Sequence, residues 1–420
     1  MNSCLSLKLM IRSWKRNKLF VAISLISLVI GIACTILLMA FVIHEYNIES
    51  NNPNRNRILR LIQSLPFAQQ EVEGTFIYGG SVPQIVSEFS EVESYLRTQT
   101  FGNARVKIDG QEFQDWKIVA ADSTLIDFFP FRNIAGNVQD ALLKPGEIAV
   151  SEQFARKCFG TKDCIGKNVD ILLSGVSTNR IVAVYSQPEQ SMLQMDILLS
   201  LEATKGADCM LLLREGTDIK SFRQRFEQTE LPTLTGKGYF RTQTLQESYF
   251  DSTVKDSNQN MRHQQSTLLN VGLLSAILIL FIGCFNFINL SFSRLLRQVH
   301  MLHIESVMGA TKKQIRYQLF LDTFLMVFVA FLLSLLLMSD LLSVFNGIVS
   351  THLTMAYLFS WQIFSFILLF IVILSVIPAS YMSHKLHSIS ETNYRNFFTG
   401  RKKRFIVGVL VILQFMISIG

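Results

Sequence analysis

Charge is scarce along this chain. Asp, Glu, Lys and Arg together make up 17% of its 420 residues, less than a soluble protein normally needs to cover its surface. Close cysteine spacing is missing as well: the six cysteines are scattered, with no Cys-x-x-Cys. There is no His-Glu-x-x-His, no Gly-x-Ser-x-Gly and no cysteine with an evident histidine partner, so nothing argues for catalysis by this chain. The nearest approach to a nucleotide-binding loop is Gly160–Asn168, GTKDCIGKN. A phosphate-wrapping loop needs its second glycine one residue earlier and a hydroxyl where Asn168 stands, so this is not an ATP site. The seven histidines are dispersed. His300/His303 and His384/His387 have helical spacing without a neighbouring cysteine or carboxylate cluster, and read as solvated interfacial residues rather than metal ligands.

What the chain has in quantity is apolar length. Mean hydropathy is +0.32, there are 33 Phe, and runs long enough to cross a bilayer recur. The expected fold class is an α-helical integral membrane protein of four spans plus the start of a fifth. A mixed α+β extracytoplasmic domain lies between spans one and two. Residues 1–19 are basic and weakly amphipathic, as a cytoplasmic interfacial helix is. Residues 20–43 form the first span, ~36 Å of helix and too long for a signal-peptide core. Residues 44–267 make the outer domain, large enough for its own core. Residues 268–382 are a membrane domain with spans 268–291, 320–343 and 361–382 and a cytoplasmic loop at 294–318. A basic linker, 383–404, leads to an apolar run at 405–420 that stops short of a full crossing.

The net charge of +7 does not point to nucleic acid. Lys and Arg cluster before the first span, in the 294–318 loop and after Met382, whereas acidic residues outnumber basic ones in the outer domain. Basic flanks face the cytoplasm, which puts the amino terminus inside and the large domain outside. No acidic or basic residue lies deep in a span, which argues against an ion-coupled transporter. Ser27, Gly31 and Thr35 recur at helical spacing in the first span and would let another helix approach closely. Chance in a Ser-rich span is the competing reading. Asn286 and Asn289 share a face of the second span, where they would hydrogen-bond across helices or line a polar path.

Within the outer domain, Glu147–Val150, Arg180–Val184 and Cys209–Leu213 read as strands. Val82–Phe89, Ser151–Phe159 and Asp218–Gln228 read as helices. Met210–Leu213, the turn Glu215-Gly216-Thr217 and the helix from Asp218 form a β-turn-α unit, capped by Thr217 or Asp218. Cys158 and Cys164 leave two readings open: a disulfide, if the compartment is oxidising, or two unpaired thiols beside a turn.

The most informative stretch is Arg294–Asp322, RLLRQVHMLHIESVMGATKKQIRYQLFLD. Its basic residues place it in the cytoplasm. Gly309-Ala310-Thr311 predicts helix, turn, helix, because glycine ends helices and threonine caps the next one. It reads as a surface on which something cytoplasmic pushes.

These residues resemble the FtsX/MacB-like family of ABC-transporter permeases. Asn286–Ser291 is similar to that family's NFINLS, and Ile304–Ile315 to a pattern of the type IRKVLGASRKQI. Val119–Asn137, Ile148–Lys167 and Gln194–Leu201 resemble successive blocks of the MacB-like periplasmic core. The resemblance implies a multi-pass inner-membrane permease subunit, itself non-catalytic, working with a separate cytoplasmic ABC ATPase that binds ATP and magnesium. It would move the periplasmic domain for efflux or for mechanotransmission. A non-transporting signal transmitter that regulates a periplasmic hydrolase or sensor is the rival. The implied coupling surface is Leu302, Ile304, Glu305, Val307, Met308, Gly309, Ala310, Thr311, Lys312 and Lys313. Further implied partners are membrane lipid, a second permease half or dimer partner, and a periplasmic adaptor with an outer-membrane duct. In a duplicated permease the run at 405–420 would open the second half. The loop departs from the pattern: Met301 replaces the usual acid, His303 a glycine, and Glu305-Ser306 an Arg-Lys pair.

Overall fold

The computed structural model describes residues 14–15, 18–67, 70–173, 175–188, 190–201, 206–233, 236–251, 253–254, 260–309, 311–349, 351 and 353–387. They fall into two compact units, one of Met1–His44 with Leu269–Gly420 and one of Glu45–Leu268.

Helix α1 (Lys18–Tyr46) leads into the Glu45–Leu268 unit, whose elements follow in chain order: β1 (Ile58–Phe67), β2 (Gln70–Gly74), β3 (Phe76–Ile77), α2 (Val82–Ser87), β4 (Val92–Ile108), β5 (Gln111–Ala121), α3 (Leu125–Phe128) and β6 (Arg132–Gly136). Next come α4 (Val138–Leu143), β7 (Glu147–Ser151), α5 (Glu152–Phe159), β8 (Asn168–Leu172), β9 (Val176–Ser186), β10 (Ile197–Ser200), β11 (Ala207–Leu213) and α6 (Ile219–Gln228). The unit closes with β12 (Leu231–Thr233), β13 (Gly236–Gly238), β14 (Phe240–Thr244) and α7 (Leu245–Phe250). Twelve strands form one mixed sheet in the order β14-β1-β11-β4-β5-β10-β7-β9-β6, with β2 beside β1, β3 beside β11, and β8 joining β4 to β9. The pairs β5/β10 and β7/β9 are parallel; the remaining pairs are antiparallel.

Side chains sort by the period of two that a strand imposes. In β11, buried along its whole length, Cys209, Leu211 and Leu213 join a cluster with Phe222 and Phe226 of α6. Met210 and Leu212 enter the opposite cluster with Phe128 and Tyr185. A strand covered on both faces reads as a continuous apolar run, which is why ADCMLLL lacks alternation. A third cluster gathers Trp116, Phe154, Ile181 and Cys164 around α5.

Local capping sets the helix limits. Ser151 Oγ accepts from Phe154 N at 3.1 Å at the start of α5, and Gly160, at φ +69°, ends it in the left-handed conformation. Asp218 accepts from Lys220 N to open α6. Thr244 and Glu247 form a reciprocal capping box on α7. Cys158 and Cys164 are free thiols, so a disulfide is not what they make here. Both pack into the third cluster, and burial pushes the Cys158 thiol up to about 11.

The other unit is helical. Helix α8 (Ser266–Val307), α9 (Lys312–Val349), the short α10 (Met355–Leu358) and α11 (Trp361–His387) follow α1. Among the described residues, three helices are long and apolar enough to cross a membrane: Val21–Tyr46, Ser266–Ile288 and Lys313–Val349. The sequence led to an expectation of four. In α11 the apolar stretch among the described residues is the shorter Ile363–Ile373. The run at 405–420 and the linker beyond residue 387 lie outside the described residues.

Candidate functional site

The turn between α8 and α9 is built by ordinary helix-end chemistry. Met308 N still donates to Ile304 O at 2.9 Å, and Gly309 at φ +94° then takes the chain out of the helix, a conformation that a Cβ would strain. Thr311 opens α9: its N–H donates to Gln314 Oε1 at 2.8 Å, and Gln314 N donates to Thr311 Oγ1 at 3.4 Å. That is a capping box of the Thr-x-x-Gln kind. The expected helix, turn, helix is present, but neither helix is separate from its span. Helix α8 continues without a break from the apolar Ser266–Ile288 stretch to Val307, a further ~28 Å at 1.5 Å per residue. Helix α9 begins at Lys312 and is likewise continuous with its apolar stretch.

At the tip of this pair Met308 is 83% exposed and Ile304 42%. Gly309, Thr311, Lys313 and Gln314 are exposed beside them. One turn further on, Ile315 and Leu319 are buried, whereas Tyr317 between them is 56% exposed. An exposed methionine beside a glycine, with Lys313 nearby in sequence, is an adaptable apolar contact with a basic flank. Ala310 lies outside the described residues, as do the side chains of Leu302, Glu305, Val307, Lys312 and Asn289.

Sequence reasoning missed a neighbour of this region. Trp14 Nε1 donates to Asp322 Oδ1 at 2.9 Å, tying the amino-terminal segment to α9. The only hint was a lone carboxylate at the head of an apolar run.

Two of the small and polar residues of α1, Ser27 and Gly31, lie against α8. Asn286 Nδ2 donates to Ser27 Oγ. A Cβ placed on Gly31 would lie 3.8 Å from Gly283 Cα, so α1 and α8 approach through two glycines, as close-packed helices in lipid do. Gly283 was not foreseen. Thr35 is buried, and its Oγ1 has no hydrogen-bond partner among the described residues. Elsewhere in this unit Thr323 Oγ1 donates to Leu319 O and reaches Ser375 O at 3.3 Å, linking α9 to α11. Among the described residues no group of three His, Cys, Asp or Glu side chains is placed to hold a metal ion.

In the outer unit, sequence reasoning also passed over two buried carboxylates where α1 ends. Tyr249 OH donates to the Glu45 carboxylate, and the Arg262 guanidinium lies 3.9 Å from it. Glu49 Oε1 accepts from Met192 N at 2.6 Å and from Ser191 Oγ at 3.0 Å. Burial raises the Glu49 pKa, and these donors oppose the shift. Carboxylates directly after an apolar run were the available signal, but membrane-flanking charges are ordinarily solvated.

Comparison with known families gives two matches. The MacB-like periplasmic core domain matches residues 21–229, and the FtsX-like permease C-terminal domain matches residues 273–387. Among solved structures, a domain of a putative permease protein from Porphyromonas gingivalis is 20% identical and aligns over 52% of this chain and 97% of its own, with a TM-score of 0.39. The periplasmic region of MacB from Actinobacillus actinomycetemcomitans is 11% identical over 45% of this chain and 88% of its own, TM-score 0.34. The extracellular domain of the noncanonic ABC-type transporter YknZ from Gram-positive bacteria is 10% identical over 44% of this chain and 99% of its own, TM-score 0.34. No curated protein matches the chain.

Proposed function

This chain belongs to the FtsX/MacB-like family of permeases, and from that premise we propose that it couples a separate cytoplasmic ATPase to movement of its periplasmic unit. Members of this family are non-catalytic membrane components of ABC transporters that work with an ATPase. ATP and magnesium belong on that ATPase. The reading assigns the amino terminus and the α8–α9 turn to the cytoplasm, and gives α11 a fourth crossing. The movement serves export of a substrate or mechanical work on a periplasmic partner.

One observation carries the docking site. Met308, 83% exposed, sits at the tip of two helices that run without interruption into membrane-length apolar stretches. A push on such a tip displaces whole helices, because helices are stiff on this scale and packed interfaces shift as units. The buried Ile315 and Leu319 behind the turn would keep it from yielding locally.

Two substitutions test the site. Met308→Asp removes the apolar contact and Glu305→Arg changes its charge; both leave the cap at Thr311 and Gln314 intact. Each is expected to reduce co-purification of the ATPase and its stimulation by the permease at least tenfold. Unchanged binding and stimulation in both variants would overturn the docking assignment.

A further inference from the structure

The outer end of α1 and the lead-in to α8 are fastened to the same short strap of the outer unit. That strap, Ser191–Leu193, is fully buried. The Met192 peptide serves both sides at once: its N–H donates to Glu49 Oε1 at 2.6 Å, and its C=O accepts from Arg262 N at 2.9 Å. Leu193 forms an antiparallel bridge with Met261. A second layer closes the junction, where Tyr249 OH donates to Glu45 and Tyr249 O accepts from Gln264 N at 2.9 Å. Glu49 is held at φ +55°, a left-handed conformation uncommon for a residue with a Cβ. Such strain persists where surrounding contacts over-determine it and clusters at functional positions. Glycine would fill that turn without strain but would offer no carboxylate to Met192 and Ser191.

The strap continues directly into the sheet. Tyr185, in β9, donates its hydroxyl to Met195 O at 2.8 Å, and β10 begins at Ile197. We infer that Glu49, Met192 and Arg262 form a clamp that makes the end of α1 and the start of α8 one mechanical input to the sheet, with Glu45 and Tyr249 as its lock. These are positioning residues, and their role rests on the coupling function proposed above. Without the clamp, each helix would move its own flanking segment and the sheet would not follow.

Hydrogen exchange on the full-length permease in complex with its ATPase tests this, comparing no nucleotide with ATP, magnesium and vanadate. In the native complex the nucleotide is expected to change amide exchange in the sheet. In Glu49→Ala, exchange at Met192 and Arg262 is expected to quicken at least tenfold. The nucleotide response of the sheet is expected to vanish while stimulation of the ATPase is kept, a split that a merely stabilising residue would not give. Tyr249→Phe, which removes one hydroxyl at constant volume, is expected to weaken the response without abolishing it. Persistence of the full sheet response in both variants would overturn the clamp. Loss of protection in β11 in both would do so too, because the sheet is expected to survive. A native complex with no nucleotide response would instead overturn the coupling function itself.

Discussion

Phe154, Phe222, Phe226 and Phe240 of the outer unit are fully buried, whereas Val271, Leu274, Phe281, Leu336 and Leu369 of the helical unit are more or less half exposed. The difference lies in the solvent each unit is built for. In water, burying a large apolar side chain is worth about 1.5–3 kcal/mol, so the outer unit turns its phenylalanines inward and uses three clusters to hold one sheet. In lipid an exposed leucine costs nothing, and helices are held by close approach and occasional hydrogen bonds. Gly31 against Gly283 and Asn286 on Ser27 are of that kind. The outer unit also tolerates a buried ion pair, Arg60 with Asp208, steadied by a hydrogen bond to Ser248 at 3.0 Å.

Substitutions should therefore fall into two scales. The largest effect is expected from Arg60→Met, which strands the Asp208 carboxylate in the core and should cost about 3–5 kcal/mol. Thermal unfolding of the full chain in detergent would show it as an early transition of the outer unit. Next comes a matched pair. Leu211→Ala in β11 should cost about 2–5 kcal/mol, while Leu336→Ala in α9, 67% exposed, should stay within about 0.5 kcal/mol. Equal losses would erase the contrast between the units. Asn286→Leu should cost only about 0.6–1.7 kcal/mol, read as weaker α1–α8 association in a reversible detergent titration.

The smallest effect concerns pH. Burial raises the Glu49 pKa above its ordinary value, so the folded state binds the proton more tightly than the unfolded chain. Stability from this group is then greatest at acid pH and declines as pH rises from the ordinary carboxylate value through the folded one. Glu49→Gln removes the component. The melting temperature of the native chain, measured relative to that variant, should fall as pH rises above the ordinary carboxylate range. A flat difference would show that burial does not perturb Glu49.

The parts of this fold that were legible are the parts written locally. Met210–Leu213, Glu215-Gly216-Thr217 and Asp218 announced a strand, a turn and a capped helix, found as β11 and α6 with Asp218 as the cap. Gly309 and Thr311 likewise marked the turn between α8 and α9, because ending and capping a helix are decided within a few residues. Pairings between distant segments left no such trace. Glu147–Val150 and Arg180–Val184 read as strands, but nothing in either run says that β7 and β9 lie parallel to each other. Arg60 and Asp208 are 148 positions apart, and Trp14 and Asp322 are 308 apart. Gly283 becomes informative only once Gly31 is seen against it. Glu45 and Glu49 were hidden by their position, since charges that follow a span usually face water.

The sharpest test of the contrast between the two units is photo-cross-linking in the intact membrane complex. A photoreactive phenylalanine analogue would replace Met308 at the α8–α9 turn or, in a second protein, Val176 at the start of β9, which is 69% exposed. If the helical unit receives the ATPase and the outer unit only responds to it, position 308 captures the ATPase and position 176 does not. Capture from 176, with none from 308, would contradict the assignment of the two units.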